Sequence, residues 1–276
     1  MKIWAHTLVK NEARWLWFSV ISVIEHVDKI LLWDSGSTDD TLEIIEALKN
    51  KYPDKILFKK RIINTPEEFP KVRQEMLEAT NADWFIVLDG DEVWWKDSIN
   101  RVIQTINEEG KKYESIVMPM IYPIGDIFHR LEEKAGNYKL AGREGHIALR
   151  AINTKIPGLK ALKPHGQMGW VDEHDVMIQD RDPQKIKFLD APYMHFSLIR
   201  RSDKDNEVIK RAKKFKYEIG AQFPLNYFYP EAFFKDRPGI VKSPWKTFDS
   251  EYQFIATLET PLKIIKRRLF SKKVGY

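Results

Sequence analysis

At 276 residues, 43% of them apolar and 31% charged, the chain is long enough to bury a full core, as one large domain or two small ones. The absence of cysteine excludes disulfides, thiolate catalysis and cysteine-ligated metals, and fits a reducing compartment. The formal charge of +5 leaves room for an anionic partner, with the excess crowded into Lys263, Lys266, Arg267, Arg268, Lys272 and Lys273 near the end of the chain.

The opening residues carry no secretory pattern, because Lys10, Asn11 and Glu12 interrupt before an apolar run builds up. The longest apolar stretch, residues 15–24, is shorter than the roughly 20 residues of a spanning helix and contains two serines. The expectation is a cytoplasmic protein.

Residues 3–9 read as a first strand with a polar exit at Lys10-Asn11-Glu12, and residues 12–23 show helical spacing. Residues 29–33 form a second strand that runs into Asp34-Ser35-Gly36-Ser37-Thr38-Asp39-Asp40-Thr41, a series of turn and N-cap residues. Leu42, Ile45 and Leu48 mark the face of the next helix, residues 56–58 a third strand, and residues 69–80 another helix. The apolar run 84–88 reads as a strand buried on both faces, with Asp89, Gly90, Asp91 and Glu92 at its carboxyl end.

Alternating strands and helices predict a parallel sheet wrapped by helices, with ligands beyond the carboxyl ends of the strands. Asp34 should therefore meet Asp89 and Asp91 in one crevice. Clustered carboxylates are costly without a cation, and Gly90 lets the backbone approach a ligand, so the pattern suits a hard divalent ion that keeps positions open for phosphate oxygens. Neither Gly-x-Gly-x-x-Gly after the first strand nor a P-loop is present, so phosphate falls to a metal and basic side chains.

From residue 116 the alternation weakens. Residues 117–124 read as an edge or bulged strand because of Pro119 and Pro123. Residues 130–145 read as a mobile polar loop, and residues 147–152 as a further strand. Asp172, Glu173 and Asp175 form a second acidic cluster, for which the bland reading is a solvated loop paired with Arg150 or Lys163. His195 stands in an aromatic segment. Residues 203–220 have amphipathic helical spacing, and the aromatic, proline-rich segment 223–245 has no clear period and no assignable chemistry.

The first half resembles the family 2 glycosyltransferases of the GT-A fold. The matching pieces are Leu8-Val9-Lys10-Asn11-Glu12, the run from Asp34 to Thr41, and the Asp-x-Asp segment 85–92, in the matching order and spacing over roughly residues 1–95. The resemblance implies an α/β GT-A fold, a Rossmann-like, mostly parallel central sheet flanked by helices. The catalytic domain would span 1–200, with a nucleotide-sugar half to about 115 and an acceptor half beyond it, and 201–276 would be a helical basic extension. It implies an inverting, metal-dependent glycosyltransferase with a nucleotide-diphosphate sugar as donor, Mg2+ or Mn2+ as cofactor, and a glycan or lipid-linked acceptor in surface polysaccharide synthesis. Val9, Asn11, Glu12, Asp34, Ser35, Arg73, Asp89 and Gly90 would hold the nucleotide, with Asp34 on the base and Asp89 on the ribose side. Asp91 and His195 would hold the metal, leaving Glu92 a supporting role. Glu173, then Asp172, is the expected general base, although the order of acids departs from the family's patterns. The alternative is a non-catalytic binder of nucleotide sugars or glycans that keeps the fold. No nucleic-acid partner is expected, since the basic residues do not interleave with a recognised module. The basic tail has two readings, a helix on an anionic membrane leaflet or a helix packing its apolar face on the body.

Overall fold

The computed structural model describes residues 1–162, 169–208 and 216–270. The first half alternates β1 (Ile3–Val9), α1 (Leu16–Val23), β2 (Lys29–Asp34), α2 (Thr41–Lys51), β3 (Ile56–Lys60), α3 (Glu68–Glu78), β4 (Trp84–Val87), β5 (Glu92–Trp94) and α4 (Lys96–Glu109). There follow β6 (Ser115–Ile121), β7 (Pro123–Ile124), β8 (Asp126–Arg130), β9 (Tyr138–Leu140), β10 (Arg143–Gly145) and β11 (Ile147–Asn153). The chain continues with β12 (Lys160–Leu162), β13 (Gly169–Val171), β14 (Ile186–Phe188), β15 (Tyr193–His195), β16 (Ala221–Gln222) and α5 (Ser250–Phe270).

The main sheet runs in the order β3, β2, β1, β4, β11, β6, β15, β5, with β14 beside β6. Pairing is parallel through β3, β2, β1 and β4 and between β6 and its neighbours β14 and β15; β11 and the β15–β5 pair are antiparallel. The architecture is a mixed α/β fold with a mostly parallel sheet. Every residue of β1 and β4 is buried, because helices cover both faces of a sheet built from crossovers. The register Val9 opposite Asp34, and the bond from the Leu88 amide to the His6 carbonyl, bring the exits of β1, β2 and β4 together on one edge.

Helix α1 is buried on all sides, as a helix apolar all round must be. Its two serines are not idle. Ser19 Oγ donates to the Asp89 carbonyl at 2.9 Å, and Ser22 Oγ accepts the Trp94 amide at 3.2 Å, so the helix grips the turn between β4 and β5. The segment without a legible period covers this helix from outside: Phe233 packs edge-on against Trp15, Phe18 and Phe196, while Trp15 stacks on Phe196 at 3.8 Å between centroids.

Several expectations are corrected. β6 lies inside the sheet, not at its edge, flanked by β11 on one side and by β14 and β15 on the other, while the bulged alternative holds at Pro123, where the pairing of β7 with β8 shifts register. Pro119 is tolerated because its nitrogen faces the flank where β14 has ended and β15 has not begun, so no ladder bond is lost. Residues 130–145 are not a formless loop. They hold a 3-10 turn at Glu133–Ala135 and a hairpin of β9 and β10. Its two-residue loop, Ala141 and Gly142, has φ of 50° and 70°, the left-handed pair that matches strand twist. The amphipathic helix expected over 203–220 is replaced, where described, by a 3-10 turn at Asp205–Glu207 and irregular chain; residues 209–215 lie outside the described residues.

Candidate active site

A cavity of about 510 Å³ opens at the carboxyl edge of the sheet. Val9, Lys10 and Glu12 line it from the exit of β1, Ser35 and Ile63 from the exits of β2 and β3, and Arg73 from α3. Asp89, Gly90 and Asp91 form its floor, and Tyr122, Tyr138, His146, Arg150, His195 and Arg201 close the far side.

The wall by β1 and β2 is built by side chains that satisfy backbone. Asn11 adopts φ of 54°, where asparagine is tolerated; its amide donates to Ser37 Oγ at 2.9 Å and its Oδ1 accepts the Thr38 amide at 2.8 Å. Ser35 Oγ donates to the Val9 carbonyl at 2.8 Å. Asp34 is fully buried behind Ser35 and accepts the amides of Gly36 at 2.9 Å and Ser37 at 3.1 Å. In this arrangement the Asp34 carboxylate shapes the turn that borders the cavity.

On the floor, Gly90 is required sterically: a Cβ there would meet Val9 Cγ1 at 2.8 Å and Glu12 Cγ at 2.9 Å. Asp89 lies between Arg73 and Arg150, each at 3.4 Å, with a third of its side chain exposed toward the cavity. Arg150 also contacts the buried Glu92 carboxylate and donates to Tyr193 Oη at 2.8 Å. Asp91 sits 3.4 Å from His195 Nε2 and 3.4 Å from Arg201, and Arg201 also grips Glu12. His195, opposite Glu92 in the pairing of β15 with β5, stacks on Tyr122 at 5.2 Å.

These charges hold one another in defined states. Desolvation works against ionisation of Asp89, but Arg150 and Arg73 outweigh it and keep its carboxyl below the usual range. Glu92 goes the other way. Its complete burial, with Asp89 and Asp91 nearby, overrides Arg150 and raises its carboxyl well above the usual range. Burial lowers the Arg73 guanidinium, whose Nε and Nη1 meet no acceptor among the described residues. Burial also opposes the charge on Arg201, yet Glu12 and Asp91 raise it.

Asp89, Glu92 and His195 each offer a ligand atom, all within 4.8 Å of one another. Two carboxylates and an imidazole suit a divalent ion of the Mg2+ or Mn2+ kind. The buried Glu92 Oε2, which has no hydrogen-bond partner among the described residues, fits such an ion as well. The cluster joins His195 to Asp89 and Glu92, where the sequence pairs His195 with Asp91, which lies 3.4 Å from the same imidazole.

Asp172 and Glu173 are not brought to the cavity. Asp172 is buried, accepts the amides of His174 at 2.9 Å and Val176 at 3.0 Å, and pairs with Arg181, which also binds Glu114 at 2.7 Å. Glu173 is exposed, and its amide donates to the Pro157 carbonyl at 3.0 Å. Glu114 and Pro157 adjoin the start of β6 and the end of β11, at the edge of the sheet opposite Asp89. The partner of Asp172 is Arg181 rather than Arg150; Lys163 lies outside the described residues.

Arg150 and Arg201 are among the charged lining residues that sequence reasoning missed, with Lys216. Arg150 is the extra residue of a β-bulge, between the pairs Leu149 with Val117 and Ala151 with Ile116, and the bulge turns its side chain toward Asp89 and Glu92. The signal was an arginine inside the apolar run Ile147–Asn153, where a charge needs a buried partner.

An α/β protein with an acidic, arginine-lined cavity at the carboxyl edge of a mostly parallel sheet has its cavity where such folds place ligands. The profile of glycosyl transferase family 2 matches residues 6–160, more than half of the chain, and the chain belongs to that family, with the GT-A arrangement of its sheet. Among solved structures, TarS 1–349 of S. aureus in complex with UDP-GlcNAc is similar at 15% identity and a TM-score of 0.46, over 71% of this chain and 58% of that one. Glucosyl-3-phosphoglycerate synthase from Mycobacterium tuberculosis, in complex with Mn2+, UDP-glucose and phosphoglyceric acid, is similar at 15% identity and a TM-score of 0.46, over 70% of this chain and 71% of that one. The chain spans 37% of the longer TarS chain. No curated protein sequence matches it.

Proposed function

We propose that the protein transfers a sugar from a nucleotide-diphosphate donor to a hydroxyl of a glycan or lipid-linked acceptor, with inversion, in surface polysaccharide synthesis. The observation that carries this reading is the cavity of about 510 Å³ in which Arg73 and Arg201 face Asp89 and Asp91 beside the Asp89, Glu92 and His195 cluster. In the transfer, the acceptor oxygen bonds to the anomeric carbon, the bond from that carbon to the diphosphate oxygen breaks, and the acceptor proton passes to a base. Val9, Asn11, Glu12, Asp34, Ser35 and Gly90 shape the nucleoside end, and Arg73 meets the diphosphate. Asp89, Glu92 and His195, with Asp91 adjacent, would hold Mg2+ or Mn2+, which when bound offsets the charge gathering on the leaving diphosphate.

The base in this reading is His146 in place of Glu173 or Asp172. His146 lines the cavity, and its Nε2 lies 3.0 Å from the Glu132 carbonyl, which only accepts. With Nε2 donating to that carbonyl, Nδ1 is the ring nitrogen that would take the acceptor's proton. Thermal shift with UDP, GDP, dTDP and CDP, with and without Mn2+, tests the donor site; no metal-dependent shift with any of them sinks the reading. Donor turnover by His146→Gln, Glu173→Gln and Asp172→Asn then locates the base, which is His146 only if that variant alone loses turnover while still binding nucleotide. Nucleotide-sugar binding by the wild type with no turnover on any acceptor would favour the non-catalytic binder.

A further inference from the structure

Helix α5 carries two opposite faces that do different things. Tyr252, Ala256, Thr260, Lys263 and Arg267 turn inward at helical spacing. Tyr252 Oη donates to the Lys216 carbonyl at 2.9 Å, Thr260 Oγ1 accepts the Ile219 amide at 2.8 Å, and Lys263 Nζ donates to the Tyr217 carbonyl at 2.8 Å. Arg267 binds Glu218 at 2.6 Å and Glu132 at 2.9 Å. The helix is thus fixed to the body by its polar face. Phe254, Leu258, Leu262, Ile265 and Leu269 form a single stripe on the other side, each between 54% and 70% exposed. This overturns the expectation that a packed terminal helix would bury its apolar face.

A continuous exposed apolar stripe of this size calls for a partner. Lys266 and Arg268, both exposed, flank it, and among the described residues neither has an ion-pair partner. From Leu262 to the end of the sequence there is no acidic residue. Among the described residues no helix is long and apolar enough to cross a membrane, so such a helix would lie along a surface. Apolar side chains on one side with cations at the flanks is the pattern that seats a helix among anionic headgroups, the lysine and arginine stems reaching back to the phosphates. A second copy would bring the same cations against the stripe, which opposes self-pairing in the parallel orientation.

We infer that the outer face of α5 docks on an anionic lipid bilayer, with Phe254, Leu258, Leu262, Ile265 and Leu269 inserted at the headgroup level and Lys266 and Arg268 on lipid phosphates. Its inner face adjoins the cavity mouth, since Arg267 holds Glu132 next to the lining residue Leu131, and Tyr252 holds the lining residue Lys216. Docking therefore sets the mouth beside the headgroups, where, on the function proposed above, a lipid-linked acceptor would be presented.

Flotation of the full chain with vesicles of phosphatidylcholine alone, or of phosphatidylcholine with phosphatidylglycerol, tests this directly. The chain should float with the anionic vesicles, less so at high salt, and stay behind with the neutral ones. Leu258→Glu with Leu262→Glu should abolish flotation, and Lys266→Glu with Arg268→Glu should reduce partitioning by about tenfold or more. All of these residues are exposed and outside the cavity, so both variants should keep the wild-type melting temperature and any nucleotide response. Equal flotation with both vesicle types, none at all, or wild-type flotation by the Leu258→Glu, Leu262→Glu variant overturns the inference. So does a concentration-dependent dimer that this variant abolishes, which would give the face to a second copy. None of these outcomes depends on turnover, so the result stands apart from that of the donor-site test.

Discussion

Arg73 shows how a single residue can be read for function by its cost. Its guanidinium is 2% exposed, burial lowers its basicity, and Nε and Nη1 have no acceptor among the described residues. A buried cation held mainly by one carboxylate 3.4 Å away is a poor device for stability. It is a good one for an arriving anion, because its desolvation is complete before the ligand enters. Arg73→Gln is expected to leave the melting temperature unchanged or higher, and to weaken nucleotide binding by about tenfold or more, the worth of one charged hydrogen bond. Isothermal titration alongside a melting curve checks both. A fall in melting temperature with unchanged nucleotide affinity would make Arg73 a strut. The acids around it, Asp89 and Asp91, were legible as a site from their place at the end of an apolar strand. Their arginine partners were not, because pairing between residues 61 positions apart, as in Arg150 with Asp89, is set by strand order.

Among the elements, α1 and the loop from Val171 to Arg181 carry opposite lessons. The serines of α1 looked like impurities in an apolar run, yet Ser19 holds the Asp89 carbonyl in place. Ser19→Ala removes one of the two donors to that carbonyl, the Glu92 amide at 3.1 Å remaining, at a cost of about 0.5–1.5 kcal/mol. It should also lower donor turnover more than nucleotide affinity, as steady-state kinetics with equilibrium binding would show; equal losses in both would mean that the helix only packs. The acidic loop is structural by its contacts. Burial tends to raise the Asp172 carboxyl, but the amides of Val176 and His174 and the Arg181 guanidinium hold it below the usual carboxylate range. A depressed carboxylate stabilises the fold above its unfolded pKa, about 4, and that contribution is lost as pH falls through the lower folded value. Asp172→Asn should therefore lower the melting temperature at neutral pH, with the gap to wild type closing below about pH 4. A gap that does not change with pH would show that the hydrogen bonds, not the charge, matter. Glu173 and Asp172 do not line the cavity, a placement motif order could not show because it says nothing of which edge of the sheet a loop leaves from.

Across the whole molecule, Arg267 is the point where the terminal helix, the body and the cavity rim meet. Its contacts with Glu218 and Glu132 bridge segments 49 and 135 positions away. Arg267→Ala removes those contacts and leaves the buried Glu218 without its guanidinium, at a cost of about 3–5 kcal/mol if the charge stays buried. Limited proteolysis should then cut within 250–270 well before the body is degraded; an unchanged cleavage pattern would show that Tyr252 and Thr260 suffice to hold the helix. The sequence by itself determined the alternation of β1 to β4 with their helices, the crevice at their carboxyl ends and the acids in it, because strand periodicity and turn chemistry are local. Tertiary structure alone decided that β6 is interior, that a bulge aims Arg150 at Asp89 and Glu92, that Asp172 stands on the far edge, and that α5 faces outward with its apolar side. Each of these depends on which distant segments become neighbours, and burial and charge pairing acquire a sign only once those neighbours are fixed.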